Sequence, residues 1–207
     1  MKHLPLLRIF LSLLILIQLL WFSQSSFSQL ENGDIIFHQS KTQQSKAIAL
    51  ATDCKYTHVG LIFFDAGSPY VYEAVQPVRR TLLNDWIKRG KDQHYVVKRL
   101  KHATPHKKAS LKSEVSRMLG KDYDFQFDWS DQKIYCSELV WKAYHRTYNI
   151  KLGKLKTLRE FKLVHPIVKK ALIKRYGSKI SYSKKINSPA EIFHSSHLVT
   201  VQSKKGL

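Results

Sequence analysis

Two runs of β-branched and aromatic residues flank a short turn in the N-terminal half of the chain. The first run is THVGLIFF (residues 57–64), the second is YVYEAVQ (residues 70–76), and DAGSP separates them. Runs of this composition around a turn that contains Gly and Pro predict an antiparallel hairpin. A hairpin here would fix the relative positions of two polar residues, His58 and Glu73.

The register of this hairpin decides whether His58 and Glu73 can meet. If Phe64 pairs with Pro69, His58 lies opposite Val75, and Glu73 is its diagonal neighbour on the same face. A shift of two residues would place Glu73 directly opposite His58, whereas a shift of one would move it to the other face. The pattern therefore leaves two alternatives, a contact between the two side chains or a glutamate that faces solvent.

The remaining segments predict a mixture of strands and helices. Short strands are expected at residues 33–39 and 93–100, a helix at residues 45–52, and a strand-like run at the end of SPAEIFHSSHLVTV. Further helices are expected after Pro105, with Gly120 as the stop, from Cys136, and from Pro166. Strands followed by helices and a return strand indicate an α+β fold.

The N-terminus has the layout of a secretory signal. Lys2 and Arg8 precede the uncharged run IFLSLLILIQLLWF, and the small residues Ser26 and Ser28 follow it. We therefore predict a signal peptide at residues 1–28, a single domain at residues 29–207, and a periplasmic or extracellular location. Residues 4–22 are also nearly long enough to span a bilayer, so an uncleaved membrane anchor is the alternative.

The predicted mature chain is strongly basic. The whole sequence carries 35 Lys and Arg against 15 Asp and Glu, and removing Lys2 and Arg8 leaves 33 against 15, a net charge of +18. Such a charge favours contact with anionic wall polymers or membrane surfaces, above all through the basic, partly apolar segment 151–185. A merely solvated basic surface is the alternative. No recognisable nucleic-acid module accompanies the charge, so no nucleic-acid partner is expected.

Cys136 lies at the start of a predicted amphipathic helix in KIYCSELVWKAY. Its helical face includes Leu139, Val140, Ala143 and Tyr144, a spacing that by itself favours a buried core cysteine. The field at a helix N-terminus contributes about 0.3–1 kcal/mol, or up to ~2 kcal/mol when partly buried. This is too little to activate a thiol at neutral pH, so a catalytic cysteine would need a histidine partner.

Ten histidines are available as that partner. His58 is the first candidate because a strand holds an imidazole rigidly, and His38, also on a predicted strand, is its main rival. Glu73 is the candidate for the polar group that orients the imidazole. A disulfide between Cys54 and Cys136 is a further alternative, which would consume the nucleophile.

The order of several segments resembles one family of enzymes. GDIIF, ATDCKYTHVGLIF, VYEAV, GKDYDFQF, YCSELVWKAY and SPAEIFHSSHLVTV follow one another over residues 33–201. This order resembles the circularly permuted branch of the NlpC-type papain-like cysteine hydrolases, and most closely the YiiX-like amidases. The resemblance implies a permuted papain-like fold in which an antiparallel sheet packs against a helix that carries the cysteine.

The resemblance also implies roles for individual residues. Cys136 matches the nucleophile, His58 the base and Glu73 the third polar residue. The segments that would line the approach of the substrate contain Tyr123, Asp124 and Tyr135. No metal and no cofactor is implied.

The expected function is therefore an exported cysteine amidase or peptidase. It would cleave an amide bond in a small peptide or a peptidoglycan fragment by way of an acyl-enzyme on Cys136. Two alternatives stay open at this point. One is a lipid acyl hydrolase or acyltransferase of the same fold, with an acyl substrate, and the other is a binding protein with a vestigial site.

Overall fold

A computed structural model describes residues 29–204 of the chain, so the predicted signal peptide or anchor at residues 1–28 lies outside the described residues. Residues from Glu31 onward belong to one structural unit. In the described part of the chain, no helix is both long and apolar enough to cross a membrane.

The β-branched and aromatic runs build one six-stranded sheet in which every neighbouring pair is antiparallel. Its order is β10-β5-β1-β2-β3-β4. The strands are β1 (Asp34–His38), β2 (His58–Asp65), β3 (Ser68–Glu73), β4 (Arg79–Leu82), β5 (Tyr95–Leu100) and β10 (Leu198–Lys204). Two small two-stranded sheets pair β6 (Asp122–Tyr123) with β7 (Lys133–Ile134), and β8 (Lys156–Thr157) with β9 (Lys185–Ile186).

The predicted hairpin is formed by β2 and β3, and it has the first of the three registers that the sequence left open. Phe64 pairs with Pro69, and Leu61 pairs with Tyr72. The second strand ends at Glu73 and not at residue 76. Instead of continuing the ladder, Gln76 turns its side chain to β6, where it accepts the Tyr123 N–H at 2.7 Å.

Six α-helices surround the sheet in the described residues. They are α1 (Gln43–Thr52), α2 (Leu83–Arg89), α3 (Pro105–Ser116), α4 (Cys136–Tyr148), α5 (Pro166–Tyr176) and α6 (Pro189–Phe193). Two of them begin with the proline that sequence analysis placed there, at Pro105 and Pro166, because a proline at the first helical position costs no hydrogen bond. The mixture of an antiparallel sheet and packed helices confirms the predicted α+β class.

The helix α4 packs its apolar face into the hydrophobic core beside the sheet. Leu139, Val140, Ala143 and Tyr144 all lie in the hydrophobic core, as their spacing predicted. Glu138 and Lys142, on the other side of the helix, are buried too. Their burial is possible because the two side chains form an ion pair at 2.7 Å. Cys136, the first residue of α4, lies at the end of this rigid element.

Sequence analysis missed one region of the sheet edge. The strand β4 and the helix α2, which together cover residues 79–89, have no long periodic pattern that would have predicted them. Both are short, and β4 consists of RRTL, which lacks the alternation of a half-buried strand. This region nevertheless supplies three side chains to the candidate site.

Candidate active site

Cys136 is placed by the N-terminus of α4. The preceding residue, Tyr135, caps the helix in an extended conformation, and its N–H donates to the Glu138 carboxylate at 3.2 Å. Because the first amides of a helix have no partner within it, the N–H of Cys136 is available to an oxygen atom that approaches the sulfur. Cys136 is 6% exposed, which places it at the boundary between the core and the cleft described below.

His58 is the first residue of β2, and its imidazole connects Cys136 with Glu73. Its Nε2 is 2.7 Å from Glu73 Oε2. His58 also lies beside Cys136, since both line one cavity and the Cys136 thiol is one of the groups that raise the pKa of His58. Burial lowers the pKa of His58, but its interactions with Cys136 and Glu73 outweigh burial and raise this pKa to about 9.

Glu73 is completely buried and accepts from four side chains. The Oε2 atom accepts from His58 and from Trp86 Nε1 at 2.9 Å, and Oε1 accepts from Thr81 Oγ1 at 2.7 Å and from Arg89 Nη2. Burial raises the pKa of Glu73, but the hydrogen bond and charge of His58, together with Arg89 and Thr81, outweigh it and lower this pKa to about 2. Glu73 is therefore a fixed negative charge behind the imidazole, and the alternative of a solvent-facing glutamate is wrong.

Gly60 allows the two strands to approach closely beside this pair. A Cβ atom at this position would lie 2.4 Å from Val71 Cγ1 and 2.9 Å from the Tyr72 carbonyl oxygen. Real Cβ atoms do not approach other atoms this closely, so any larger residue would push β3, and with it Glu73, away from β2. The close approach of β2 and β3 therefore explains why the residue two positions after His58, in THVG, is a glycine.

The rival histidine, His38, lies next to His58 but has a different environment. The two residues are opposite each other in the β1–β2 ladder, and their ring centroids are 5.3 Å apart. The His38 ring stacks on Trp86 at 3.8 Å. Burial and the neighbouring charge of His58 lower the pKa of His38 to about 2, so its ring is neutral at physiological pH. The structure therefore brings His58, and not His38, into the series with Glu73 and Cys136.

Two cavities of different character meet at Cys136. A polar cavity of about 350 Å³ is lined by His38, Thr57, His58 and Arg89, among others. A smaller cavity of about 110 Å³ lies between α1 and α5, and most of the side chains around it are apolar. Four residues line both cavities: Gln44, Ile48, Tyr123 and Cys136.

The three residues predicted to contact substrate occupy different positions. Tyr123 lines both cavities, and burial followed by the charge of Cys136 raises the pKa of its phenol. Tyr135 lines the apolar cavity, and its hydroxyl accepts the Asn187 N–H at 3.2 Å.

Asp124 differs from the two tyrosines. It is not among the described residues that line either cavity. Its buried carboxylate accepts backbone N–H groups from Gln126 at 2.9 Å and from Asp128 at 2.5 Å. Asp124 thus organises the loop that follows Tyr123.

Both cysteines are free thiols, so the disulfide alternative is wrong. Burial raises the pKa of the half-buried Cys54 thiol. Cys54 therefore provides an unactivated thiol within the same chain for comparison with Cys136.

The order of these residues along the chain is that of a permuted papain-like enzyme, with the histidine strand before the cysteine helix. A family model described as "permuted papain-like amidase enzyme, YaeF/YiiX, C92 family" matches residues 29–202. The chain belongs to this family.

Two relatives from Escherichia coli support the assignment. The uncharacterized protein YiiX of strain K12 is 42% identical over 174 residues, which are 84% of this chain and 86% of YiiX. A crystal structure of the metalloprotein yiiX from strain O157:H7 is 41% identical and has a TM-score of 0.83, covering 85% of this chain and 98% of that one. The predicted permuted papain-like fold is thereby confirmed.

The description of that relative as a metalloprotein raises the question of a metal site in this member of the family. Within residues 29–204, no group of three or more His, Cys, Asp or Glu side chains is arranged to hold a metal ion. In the set of Cys136, His58 and Glu73, the histidine uses Nε2 for the carboxylate. These residues do not fit a metal site, and the chemistry below is derived from the side chains alone.

Sequence analysis missed the donors that surround Glu73. Thr81, Trp86 and Arg89 lie on β4 and α2, the two elements that no pattern predicted. The one available signal was chemical, because a carboxylate buried beside a histidine needs further donors. The three donors to Glu73 all occur in RTLLNDWIKR, which begins seven residues after the hairpin.

Proposed function

We propose that this chain is a cysteine hydrolase that cleaves an amide bond by way of an acyl-enzyme on Cys136. One observation carries the proposal, the buried series Cys136–His58–Glu73 in which a fixed carboxylate supports an imidazole beside a thiol. Membership in a family described as amidases supports the same reaction class.

In this reaction the proton of the Cys136 thiol passes to His58 when the thiolate–imidazolium pair forms, and the sulfur then attacks the carbonyl carbon of the substrate. The N–H of Cys136 at the start of α4 would donate to the developing oxyanion. The imidazolium then protonates the leaving nitrogen as the C–N bond breaks. A water molecule, deprotonated by His58, hydrolyses the thioester and restores the thiol. Throughout these steps Glu73 stabilises the imidazolium and fixes the orientation of its ring.

Replacing the nucleophile tests this proposal directly. Cys136→Ala should abolish the release of free amine from N-acyl amides and short peptides, while circular dichroism shows an intact fold. The matched control is Cys54→Ala, which removes the other thiol and should retain wild-type activity. Activity that survives Cys136→Ala would contradict the proposed nucleophile.

Thiol reactivity separates an enzyme from a binding protein with a vestigial site. In the enzyme, iodoacetamide at neutral pH should label Cys136 much faster than Cys54, because only Cys136 has an imidazole partner. If both thiols react at the same rate and titrate near the ordinary value of ~8.5, the site is not activated and the binding-protein alternative is correct.

We further propose that the enzyme is exported to the periplasm or the extracellular space. The layout of residues 1–28 supports this proposal. N-terminal sequencing of the native protein tests it: a mature chain that begins near residue 29 is expected after cleavage. An intact chain found only in the cytosolic fraction would contradict export, whereas an intact chain in the membrane fraction would indicate the uncleaved anchor.

We propose a small peptide or a peptidoglycan fragment as the substrate. The second candidate is an acyl lipid. The apolar cavity beside Cys136 favours an apolar acyl group, but its volume of about 110 Å³ holds only a short chain. The basic segment 151–185 could hold either substrate near an anionic wall or membrane surface. It exposes Val164 and Ile173 among its lysines, as expected of a segment that contacts a membrane surface. Sedimentation with vesicles of anionic and of zwitterionic lipid tests this contact.

A further inference from the structure

The apolar cavity is built by two helices whose facing sides have the same spacing. Helix α1 contributes Ala47, Ile48 and Ala51, and helix α5 contributes Val168, Ala171 and Leu172. Together with Gln44, which also lines the cavity, the first set has the i, i+3, i+4, i+7 spacing, and the second has the i, i+3, i+4 spacing, so each set lies on one helical face. Three of the six are alanines, and their small side chains leave the space between the helices unfilled.

An unfilled apolar cavity destabilises a protein in proportion to its volume. Larger side chains at the alanine positions would remove that cost. The cavity also reaches the candidate nucleophile, since Cys136 is part of its lining. Both features point to a cavity that is filled by a ligand during the reaction.

The position of His58 decides which part of the substrate occupies each cavity. In the reaction proposed above, the imidazolium protonates the leaving group, so the leaving group must lie on the side of His58. His58 lines the polar cavity and is not among the residues that line the apolar one. The group that stays on the sulfur is therefore directed toward the apolar cavity.

We propose that the cavity between α1 and α5 binds the acyl group of the substrate, and that this group is an uncharged, short aliphatic chain. The proposal rests on the proposed function and specifies its substrate class. The leaving amine is polar, because it occupies the cavity lined by Thr57, Arg89 and the two histidines. Attack by sulfur breaks the C–N bond, the amine departs with the proton of His58, and the acyl chain remains in the apolar cavity until water releases it.

The volume of the cavity limits the length of the chain. An apolar cavity of ~150 Å³ accommodates benzene, which has six carbons. The cavity here measures about 110 Å³, so about four carbons beyond the carbonyl fill it. A longer acyl chain would extend out of the cavity, and its additional carbons would add little to the binding free energy.

A series of N-acyl ethanolamides with one constant leaving amine tests the chain preference. The value of kcat/KM should rise by about fourfold for each added methylene from acetyl to pentanoyl, which is about 60-fold in total, and then level off at hexanoyl and longer chains. A flat series would overturn the proposal while leaving the proposed hydrolase intact.

Butyryl and succinyl ethanolamides form a matched pair, because they have the same chain length and differ by a terminal carboxylate. Butyryl should be strongly preferred, since an apolar cavity disfavours an unpaired charge. The opposite preference would also overturn the proposal, and it would identify Arg175 as an anion anchor. Arg175 lines the cavity, with its guanidinium 4.0 Å from the centroid of the Phe127 ring.

Alkyl chloromethyl ketones measure the same preference without turnover. The Cys136 sulfur forms a bond to the methylene carbon and chloride leaves, so mass spectrometry gives the labelling rate of Cys136. A labelling rate that increases from methyl to pentyl ketone, with no hydrolysis of any amide, would retain the acyl cavity and refute the proposed function. Equal labelling rates across the series would refute the cavity.

Filling the cavity completes the test. Ala171→Leu and Ala171→Phe should progressively lower the ratio of kcat/KM for hexanoyl to that for acetyl ethanolamide, by tenfold or more for the larger side chain. Ile173→Phe is the matched control, because Ile173 lies on the same helix but is 61% exposed. The control should retain the wild-type ratio. An unchanged ratio in both folded Ala171 variants would contradict the assignment of the chain to this cavity.

Discussion

The charge of Glu73 should control the protonation of His58, and Glu73→Gln tests this with a change of one charge and little change of shape. Glu73 accepts from His58, Thr81, Trp86 and Arg89. A glutamine oxygen can replace only half of these acceptors, and the glutamine NH₂ group must then face other donors. The variant thus removes the charge and disturbs the hydrogen bonds around it.

The size of the effect follows from the lost charge-assisted hydrogen bond. Such a bond contributes about 1.5–3 kcal/mol, and ~1.36 kcal/mol corresponds to one pKa unit. The pKa of His58, now about 9, should therefore fall by about 1–2 units. Because the imidazolium protonates the leaving group, activity is lost as the pH rises through this pKa, and the alkaline limb of the pH profile should move to lower pH.

Two kinetic measurements of amide hydrolysis test this prediction. The pH dependence of kcat/KM should show the displaced alkaline limb, and kcat/KM at neutral pH should fall by about 100- to 10,000-fold, since a glutamine can also favour the wrong tautomer of His58. Glu114→Gln is the matched control, because Glu114 pairs with Arg117 at 2.9 Å and with Arg146 at 3.0 Å but lies outside the cleft. An alkaline limb that stays at the wild-type pH in the folded Glu73→Gln variant would refute the assigned role of Glu73.

Three further perturbations have definite outcomes. His38 is buried with a pKa of about 2 against an ordinary 6.5, so the unfolded state binds the extra proton below pH 6.5. The unfolding free energy of wild type relative to His38→Phe should therefore fall by about 1.4 kcal/mol per pH unit on acidification; a constant difference in urea titrations would contradict this. Gly60→Ala should destabilise the fold by about 1–3 kcal/mol, because its Cβ would clash with Val71, and should lower activity; wild-type melting and turnover would count against the clash. Lys142→Met should cost about 3–5 kcal/mol at pH 8 by leaving Glu138 unpaired. The cost should be smaller at pH 5, because burial raises the pKa of Glu138 to about 7, and equal losses at both pH values would oppose this account.

The hairpin and the helix that carries Cys136 could be predicted from the sequence because their signals are local. The β-branched runs and the turn predicted the hairpin of β2 and β3, but its register, and with it the contact between His58 and Glu73, was decided only by the structure. The spacing of apolar residues likewise predicted which face of α4 is buried. What the pattern could not decide was the role of Cys136, since a core cysteine and a nucleophile have the same local sequence.

The surroundings of the site could not be predicted, because they depend on contacts between distant segments. Trp86 and Arg89 reach Glu73 from a helix of seven residues, too short for a reliable periodic signal. The apolar cavity arises where α1 meets α5, more than a hundred residues later in the chain. Each helix alone has only an ordinary stripe of small and apolar residues, and the cavity exists only when the two stripes face each other.

The separation of the nucleophile from its base has a consequence for when the thiol becomes reactive. His58 and Glu73 belong to one hairpin and lie 15 residues apart, whereas Cys136 joins them only when α4 packs against the sheet. A nascent or unfolded chain therefore carries two ordinary thiols, which react slowly with oxidants and electrophiles. In the proposed enzyme, the reactive centre forms in the same cooperative step that buries it, so the folding of the chain would itself be the maturation step.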